Sequence, residues 1–152
     1  FTSTYKTYTL VFINLLPSTN GDICQIQVNS GGFQTTGYIG QGVIAGSLSP
    51  VTPTTYIPCS TNVSSSGVQN NESGVSGLIT VYNPSASAKI NMGGTMFWNA
   101  GGGSGTATAA NVQGKWNTSG AVTGIQIFYN SAAGSARASG ITSGIVEVWG
   151  NP

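Results

Sequence analysis

Histidine is absent from this chain, and charged side chains are scarce. Of 152 residues, only four are Lys or Arg and three are Asp or Glu. Without histidine there is no imidazole to serve as a general base, as a member of a Ser-His-Asp triad or as a metal ligand. Three carboxylates, Asp22, Glu72 and Glu147, make a two-carboxylate glycosidase or a calcium site of clustered acids improbable. We therefore expect a protein that is not an enzyme and that uses no metal or cofactor.

Basic stripes and long apolar runs are missing as well. The four Lys and Arg residues are spread along the chain and cannot neutralise a run of phosphates, so nucleic acid is not an expected partner. No apolar run reaches the ~18 residues that a membrane-spanning helix needs, and insertion into a membrane is not expected. The sequence begins at Phe1 without a basic or apolar leader, and we expect a fragment or processed piece of a longer protein.

The two cysteines, Cys24 and Cys59, are too few for a disulfide framework. Cys24 lies in an alternating run where a small buried apolar side chain fits. We expect both residues to be free thiols, with a single disulfide between them as the alternative.

The abundant residue types favour strands. Val, Ile and Thr together number 42, against 25 for Ala, Leu, Met, Glu, Lys and Arg, and 23 glycines interrupt any helix of ordinary length. Short strands separated by glycine-rich turns are typical of two-sheet folds. The sequence predicts an all-β fold, a jelly-roll-like β-sandwich of about seven to nine strands that forms a single domain over residues 1–152.

Alternating apolar residues and turn signals locate the strands. Ile23–Val28 and Phe33–Ile39 are expected to form a hairpin or the start of a meander. Residues 46–76 contain three prolines and are expected to be a long irregular excursion, with a short strand around Thr54–Ile57 as the alternative. The other strands are predicted at Tyr5–Leu15, Leu78–Tyr82, Lys89–Met92, Thr95–Asn99, Thr106–Trp116, Gly124–Tyr129 and Gly144–Trp149.

Neutral polar and aromatic residues offer a binding site that needs no charge. Aromatic rings stack on the faces of sugars, and Asn, Gln and Thr side chains hydrogen-bond hydroxyl groups. Trp98 and Trp116 lie toward opposite ends of a predicted hairpin, and both of them, like Trp149, have a competing interpretation as core or interface filler. The candidate ligand-binding residues are Phe33, Gln34, Tyr38, Tyr56, Trp98, Asn99 and Trp116.

The low charge also bears on assembly. A surface with so few charges is unusual for a soluble monomer of this size, whereas flat faces rich in alanine and glycine are buried between the subunits of oligomers. We expect a tight oligomer, and the alternative is an extracellular chain selected against charge.

Two segments at the ends of the chain carry a familiar pattern. The first is Tyr5-Lys-Thr-Tyr-Thr-Leu-Val-Phe-Ile-Asn-Leu-Leu-Pro17, a Tyr-x-x-Tyr strand followed by an Asn-x-x-Pro turn. The second is Gly124-Ile-Gln-Ile-Phe-Tyr129, then a loop of small residues and Ile141-Thr-Ser-Gly-Ile-Val-Glu-Val-Trp-Gly150. Together they resemble the C-terminal domains of bacteriophage tail fibres and tailspikes, over about a third of the chain.

The resemblance implies a β-sandwich at the tip of a homotrimeric fibre on the virion, extracellular when it functions. Such a domain recognises bacterial surface polysaccharide or lipopolysaccharide without catalysis. The resemblance supplies no catalytic or ligand residue, and it does not extend to residues 46–76 or Gly101–Gly103, where host specificity would lie. The alternatives are a structural trimerisation or decoration module of a virion, with no ligand, and a carbohydrate-binding module of a secreted hydrolase.

Overall fold

The structure, a computed structural model, describes residues 1–19, 21–44, 47–49, 55–60, 74–85, 89–100, 106–130 and 140–152. These residues form strands and no helix, and so no helix among them could cross a membrane. The all-β prediction is confirmed. The strands are β1 (Thr7–Pro17), β2 (Ile23–Asn29), β3 (Tyr38–Ile44), β4 (Ser47–Ser49), β5 (Ile57–Pro58), β6 (Val75–Tyr82), β7 (Ile90–Ala100), β8 (Thr106–Trp116), β9 (Gly124–Asn130) and β10 (Ile141–Asn151).

The strands form two antiparallel sheets. One has seven strands in the order β10-β1-β6-β7-β8-β3-β4, and the other has three in the order β5-β2-β9. Nine strands have three or more residues and β5 has two, in agreement with the predicted number. Two antiparallel sheets with the core between them confirm the predicted β-sandwich.

One hydrophobic core lies between the sheets. In β1 the alternating residues Tyr8, Leu10 and Phe12 point into it. The Tyr129 hydroxyl of β9 donates a hydrogen bond to the Leu15 carbonyl of β1 and so joins the two layers. Further core residues are Cys24, Ile26 and Val28 of β2, Ile57 of β5, Ile79 and Val81 of β6, Ile90, Met92, Met96 and Trp98 of β7, and Val112 and Trp116 of β8.

The predicted hairpin of residues 23–39 does not form. β3 begins at Tyr38 and pairs with β8 and β4, whereas β2 pairs with β9 and β5. The end of β2 is hydrogen-bonded locally instead. The Val28 N–H donates to the Tyr38 hydroxyl at 2.8 Å, and the Val28 carbonyl accepts from the Gln34 N–H at 2.9 Å. The backbone hydrogen-bonding groups at this end of β2 therefore have partners without a returning strand, and β3 joins the other sheet.

Two further predictions are corrected. The strands predicted at Lys89–Met92 and Thr95–Asn99 are one continuous strand, β7, because Gly93 and Gly94 do not break the ladder. Gly94 faces β6 so closely that an added Cβ would collide with the Leu78 carbonyl. Within residues 46–76, β4 is regular, and β5 agrees with the alternative of a short strand around Thr54–Ile57. Residues 46, 50–54 and 61–73, like Gly101–Gly103, lie outside the described part of the chain.

Candidate functional site

Three of the seven predicted ligand-binding residues lie inside the protein. Tyr38, Trp98 and Trp116 are each at most 3% exposed, so their rings present no face to a ligand. The Trp116 indole N–H donates to the Thr36 carbonyl at 3.2 Å. Burial raises the pKa of Tyr38 to about 12. As placed here, these residues belong to the core, which is the interpretation left open for both tryptophans.

The other four predicted residues are accessible but do not share one site. Phe33 is 45% exposed in the turn after β2. The side-chain amide of Gln34 holds this same turn by donating to two of its carbonyls, at 2.9 and 2.8 Å. Tyr56 is half-buried beside β5, and Asn99 is half-buried near the end of β7.

The structure brings together only part of the predicted set. Tyr38 and Trp116 are directly opposite each other across β3 and β8, and the Tyr38 hydroxyl donates to the Gln34 carbonyl at 3.0 Å. Trp98 pairs with Thr108, eight residues from Trp116 along β8, a separation of roughly 27 Å at the rise of a strand. The prediction that the two tryptophans lie apart is confirmed.

A broad exposed surface is formed by the outward face of the seven-stranded sheet, which we call the open face. The three-stranded sheet covers the opposite, core-facing side. Across the strands, the outward residues stand in rows that the register defines. The open face consists of Ile145, Glu147 and Trp149 of β10, Thr7, Thr9, Val11 and Ile13 of β1, Leu78, Thr80 and Tyr82 of β6, Asn91, Gly93, Thr95, Phe97 and Asn99 of β7, Ala109, Asn111, Gln113 and Lys115 of β8, and Ile39 of β3.

The open face is nearly uncharged and mixes polar with apolar side chains. Only Glu147 and Lys115 among its residues carry charge, and threonine, asparagine and glutamine share the centre with Leu78, which is 48% exposed. The Thr95 hydroxyl donates to the Asn111 side-chain carbonyl at 3.1 Å, which links β7 to β8 on this face. Such a face can exchange hydrogen bonds with hydroxyl groups without the cost of burying charge.

A depression of about 440 Å³ lies on the open face above Gly93. Glycine creates its floor, because a Cβ at this position would meet only the Val112 carbonyl oxygen, at 3.6 Å, in ordinary contact. Tyr82, Asn91 and Lys115 stand in one cross-strand row, and Gln113 is opposite Gly93 in the next.

The walls of this depression carry a ring, two amides, an ammonium group and the apolar side chain of Ile39. Tyr82 is 45% exposed. No described residue forms a hydrogen bond or ion pair with the side chain of Asn91, Gln113 or Lys115. These groups are therefore available to a ligand: the ring for stacking, the amides as donors and acceptors, and the ammonium as a donor of up to three hydrogen bonds.

β10 is exposed on both of its faces. It is an edge strand that pairs only with β1 among the described strands. Ile145 and Trp149, which point outward, are 57% and 60% exposed, and Val148 on the other side is 57% exposed. Trp149 is therefore not a core residue, and its indole N–H donates to the Glu147 carboxylate at 3.2 Å.

Sequence reasoning missed Tyr82 and the depression beside it. The alternation of β6 contained the signal, because Ile79 and Val81 are buried and Tyr82 must then point outward. Its neighbours Asn91 and Lys115 could not be named without the strand order, which brings β6, β7 and β8 side by side.

Neither a metal-binding cluster nor a similar protein helps to identify the site. In the ranges that the structure describes, no three or more His, Cys, Asp or Glu side chains are placed to hold a metal ion. Comparisons with protein family models, with curated proteins and with solved structures return no match.

Proposed function

We propose that this protein is the tip domain of a bacteriophage tail fibre, acting as a homotrimer on the virion outside the cell. It binds a bacterial surface polysaccharide or lipopolysaccharide and catalyses no reaction. The observation that supports glycan binding is the open face, with its depression above Gly93. The phage assignment is supported by the resemblance of the two ends of the chain to tail-fibre domains.

The depression is suited to one sugar ring of a longer chain. The Tyr82 ring stacks on the apolar face of the sugar, while Asn91 and Gln113 exchange hydrogen bonds with its hydroxyl groups. Lys115 pairs with a carboxylate or phosphate where the glycan carries one. Because all four side chains stand on paired strands, the backbone of the site is ordered before binding, and the remaining entropy cost is that of the side chains.

A shallow site of this kind binds weakly as a single copy. Three such sites on one rigid trimer gain ~10²–10⁴ in avidity without any additional contact. The proposed trimer is thus the means by which a weak saccharide contact becomes stable attachment to a cell.

Binding to an array of immobilised bacterial polysaccharides and lipopolysaccharides tests this proposal. For a glycan that retains the wild type, Tyr82→Ala and Gln113→Ala are each expected to weaken binding about tenfold, as loss of ~1.4 kcal/mol predicts. Gly93→Val should weaken it as well by filling the depression. The matched control is Phe97→Ala, which removes an exposed ring from the same face but outside the depression.

The array also separates this site from the one predicted by sequence alone. If Phe33→Ala weakens binding while Tyr82→Ala does not, the site is the turn after β2 and the open face is not involved. If Tyr82→Ala, Gln113→Ala and Gly93→Val all bind the glycan as tightly as the wild type and the control Phe97→Ala do, the proposal is contradicted.

A second candidate function, a structural trimerisation or decoration module without a ligand, is favoured by β10. Its exposed apolar residues on both faces suit burial between subunits. Light scattering on a sizing column distinguishes the candidates when combined with the array. A mass of three times 15.4 kDa with no glycan retained favours the structural module, whereas a trimer that retains glycan favours the fibre tip.

A further inference from the structure

The two cysteines stand directly opposite each other. The register of β2 and β5 pairs Ile26 with Ile57, and the next core-facing pair in the same register is Cys24 with Cys59. The Cys59 N–H donates to the Cys24 carbonyl at 2.8 Å, which continues the ladder to this pair. Residues two apart on a strand point to the same face, so both thiols point into the core.

Both thiols are buried and free. Cys24 is 0% exposed and Cys59 is 1% exposed. The Cys59 thiol makes a long contact, at 3.8 Å, with the Ile57 carbonyl. Burial raises the pKa of Cys59, and the neighbouring Cys24 thiol raises it further. Each sulfur thus has the other as a close neighbour, and the Tyr129 hydroxyl lies beside Cys24.

We propose that Cys24 and Cys59 form a disulfide site, in which a disulfide oxidant joins the two sulfurs and fastens β5 to β2. Opposed residues of a hydrogen-bonded antiparallel pair have Cα atoms about 5.5 Å apart, within the ~4.4–6.8 Å that a disulfide spans. In a hydrogen-bonded pair the Cβ atoms lie toward the upper end of ~4.5–5.5 Å, about 1 Å more than the ~3.5–4.5 Å of a disulfide.

Cys59, which follows β5 in the chain, is able to make this movement while Ile57 stays packed beside Gly114. β5 has two residues and is an edge strand of its sheet. The Cys24 N–H donates to the Ser60 hydroxyl at 2.9 Å rather than to the Cys59 carbonyl, so the pair is held by one backbone hydrogen bond. The disulfide retains some strain, and strained disulfides are more easily reduced. The bond is therefore expected to be reversible in a thiol buffer.

Glutathione disulfide is an oxidant of the required class. One cysteine thiolate attacks a sulfur of glutathione disulfide, whose S–S bond breaks, and one glutathione leaves as a thiolate. The second cysteine thiolate then attacks the sulfur of the first cysteine, the mixed disulfide breaks, and the second glutathione leaves as a thiolate. Two electrons pass from the cysteines to the oxidant, and the two thiol protons end on the released glutathione. Because the thiols are buried, exchange proceeds through opening of β5.

The test uses the full chain in buffers of reduced and oxidised glutathione, approached from both the reduced and the oxidised protein. Intact mass should show a loss of two hydrogens without added glutathione, and chymotryptic peptides should place the bond between Cys24 and Cys59. At half-oxidation of the protein, the square of the reduced glutathione concentration divided by the oxidised glutathione concentration gives the effective concentration of the two cysteines. We expect this effective concentration to be at least about tenfold higher in the folded chain than in urea, because the fold holds the pair together.

Cys24→Ser and Cys59→Ser are the controls, and each should give only a mixed disulfide with glutathione. Two outcomes overturn the proposal. In the first, the disulfide is formed beforehand and the protein is placed in a series of glutathione buffers, folded or in urea. The proposal fails if every buffer that leaves the bond intact in urea reduces it in the folded protein. The second is an effective concentration in the folded chain no higher than in urea.

Discussion

Gly114 of β8 permits the close approach of β5 to the seven-stranded sheet, and replacing it with alanine tests that packing. A Cβ at this position would lie 2.8 Å from Cδ1 and Cγ2 of Ile57 and 2.9 Å from its Cγ1. Carbon atoms in contact prefer ~3.5–4.0 Å. Since Ile57 is fully buried, it has no free space into which to move.

Gly114→Ala is therefore expected to lower the free energy of unfolding by ~1–3 kcal/mol, the usual cost of overpacking. Urea unfolding measures this change, and Tm should fall by about 2–4 °C for each kcal/mol in a domain of this size. Gly93→Ala, one strand away on the open face, is the matched control. Its Cβ meets one oxygen at 3.6 Å, and the change should stay within ~0.5 kcal/mol.

A double-mutant cycle with Ile57→Ala isolates the contact. Ile57→Ala alone should cost ~2–5 kcal/mol as a cavity. In that background Gly114→Ala should cost nothing, which gives a coupling energy of ~1–3 kcal/mol between the two sites. If Gly114→Ala destabilises equally in both backgrounds, or not at all in the wild type, β5 does not pack on β8 as described.

Further predictions concern the disulfide, alkaline pH and a glycine of β10. Closing a loop of about 36 residues should stabilise the oxidised protein by roughly 4 kcal/mol, less any strain, in urea unfolding compared with the reduced protein. Because burial raises the pKa of Tyr38 from 10.0 to about 12, folding favours its neutral form. This contribution is complete below pH 10 and is lost as the pH rises through 12, so stability measured against pH should fall there and should fall less in Tyr38→Phe. Gly144 has φ of +116°, and an added Cβ would lie 2.6 Å from a carbonyl oxygen of β1. Gly144→Ala should therefore cost ~1–3 kcal/mol in thermal unfolding, whereas Gly140→Ala, with nothing within 4 Å, should change little.

The sequence was sufficient to locate strands by their alternation. In β1, the alternating residues of Tyr5–Leu15 predict the strand, and it is observed. They do not predict its core side, because Val11 and Ile13 make the second face apolar too; the structure buries the side of Tyr8, Leu10 and Phe12. Pairing was harder, because β2 joins β9, about a hundred residues later. The tendency of consecutive strands to pair favoured a hairpin with Phe33–Ile39 instead. Local turn signals contain no information about partners so distant in the chain.

The residues of the candidate site were harder to predict than the fold for a related reason. Trp98 and Trp116 were candidates because large rings can stack on a sugar, but large rings also fill a core efficiently, and both are buried here. The residues of the depression become neighbours only once β6, β7 and β8 are ordered side by side. Tyr82 and Lys115 then fall in one row through Asn91. No spacing within the sequence encodes that row.

The scarcity of charge was first explained by assembly, but the structure offers two surfaces that would each account for part of it. β10, with Ile145, Val148 and Trp149 exposed, has the apolar character of a surface to be covered. The centre of the open face is more polar than apolar, and a mostly polar face has no need of burial to remain in water. Charges there would bind water and ions that a hydroxyl-rich ligand must displace. The edge strand β10, as a surface to be covered by another subunit, and the centre of the open face, as a surface to bind a ligand, thus need few charges for different reasons. Substitutions in β10 should therefore change assembly without changing the centre of the open face, and substitutions at that centre should leave assembly unchanged.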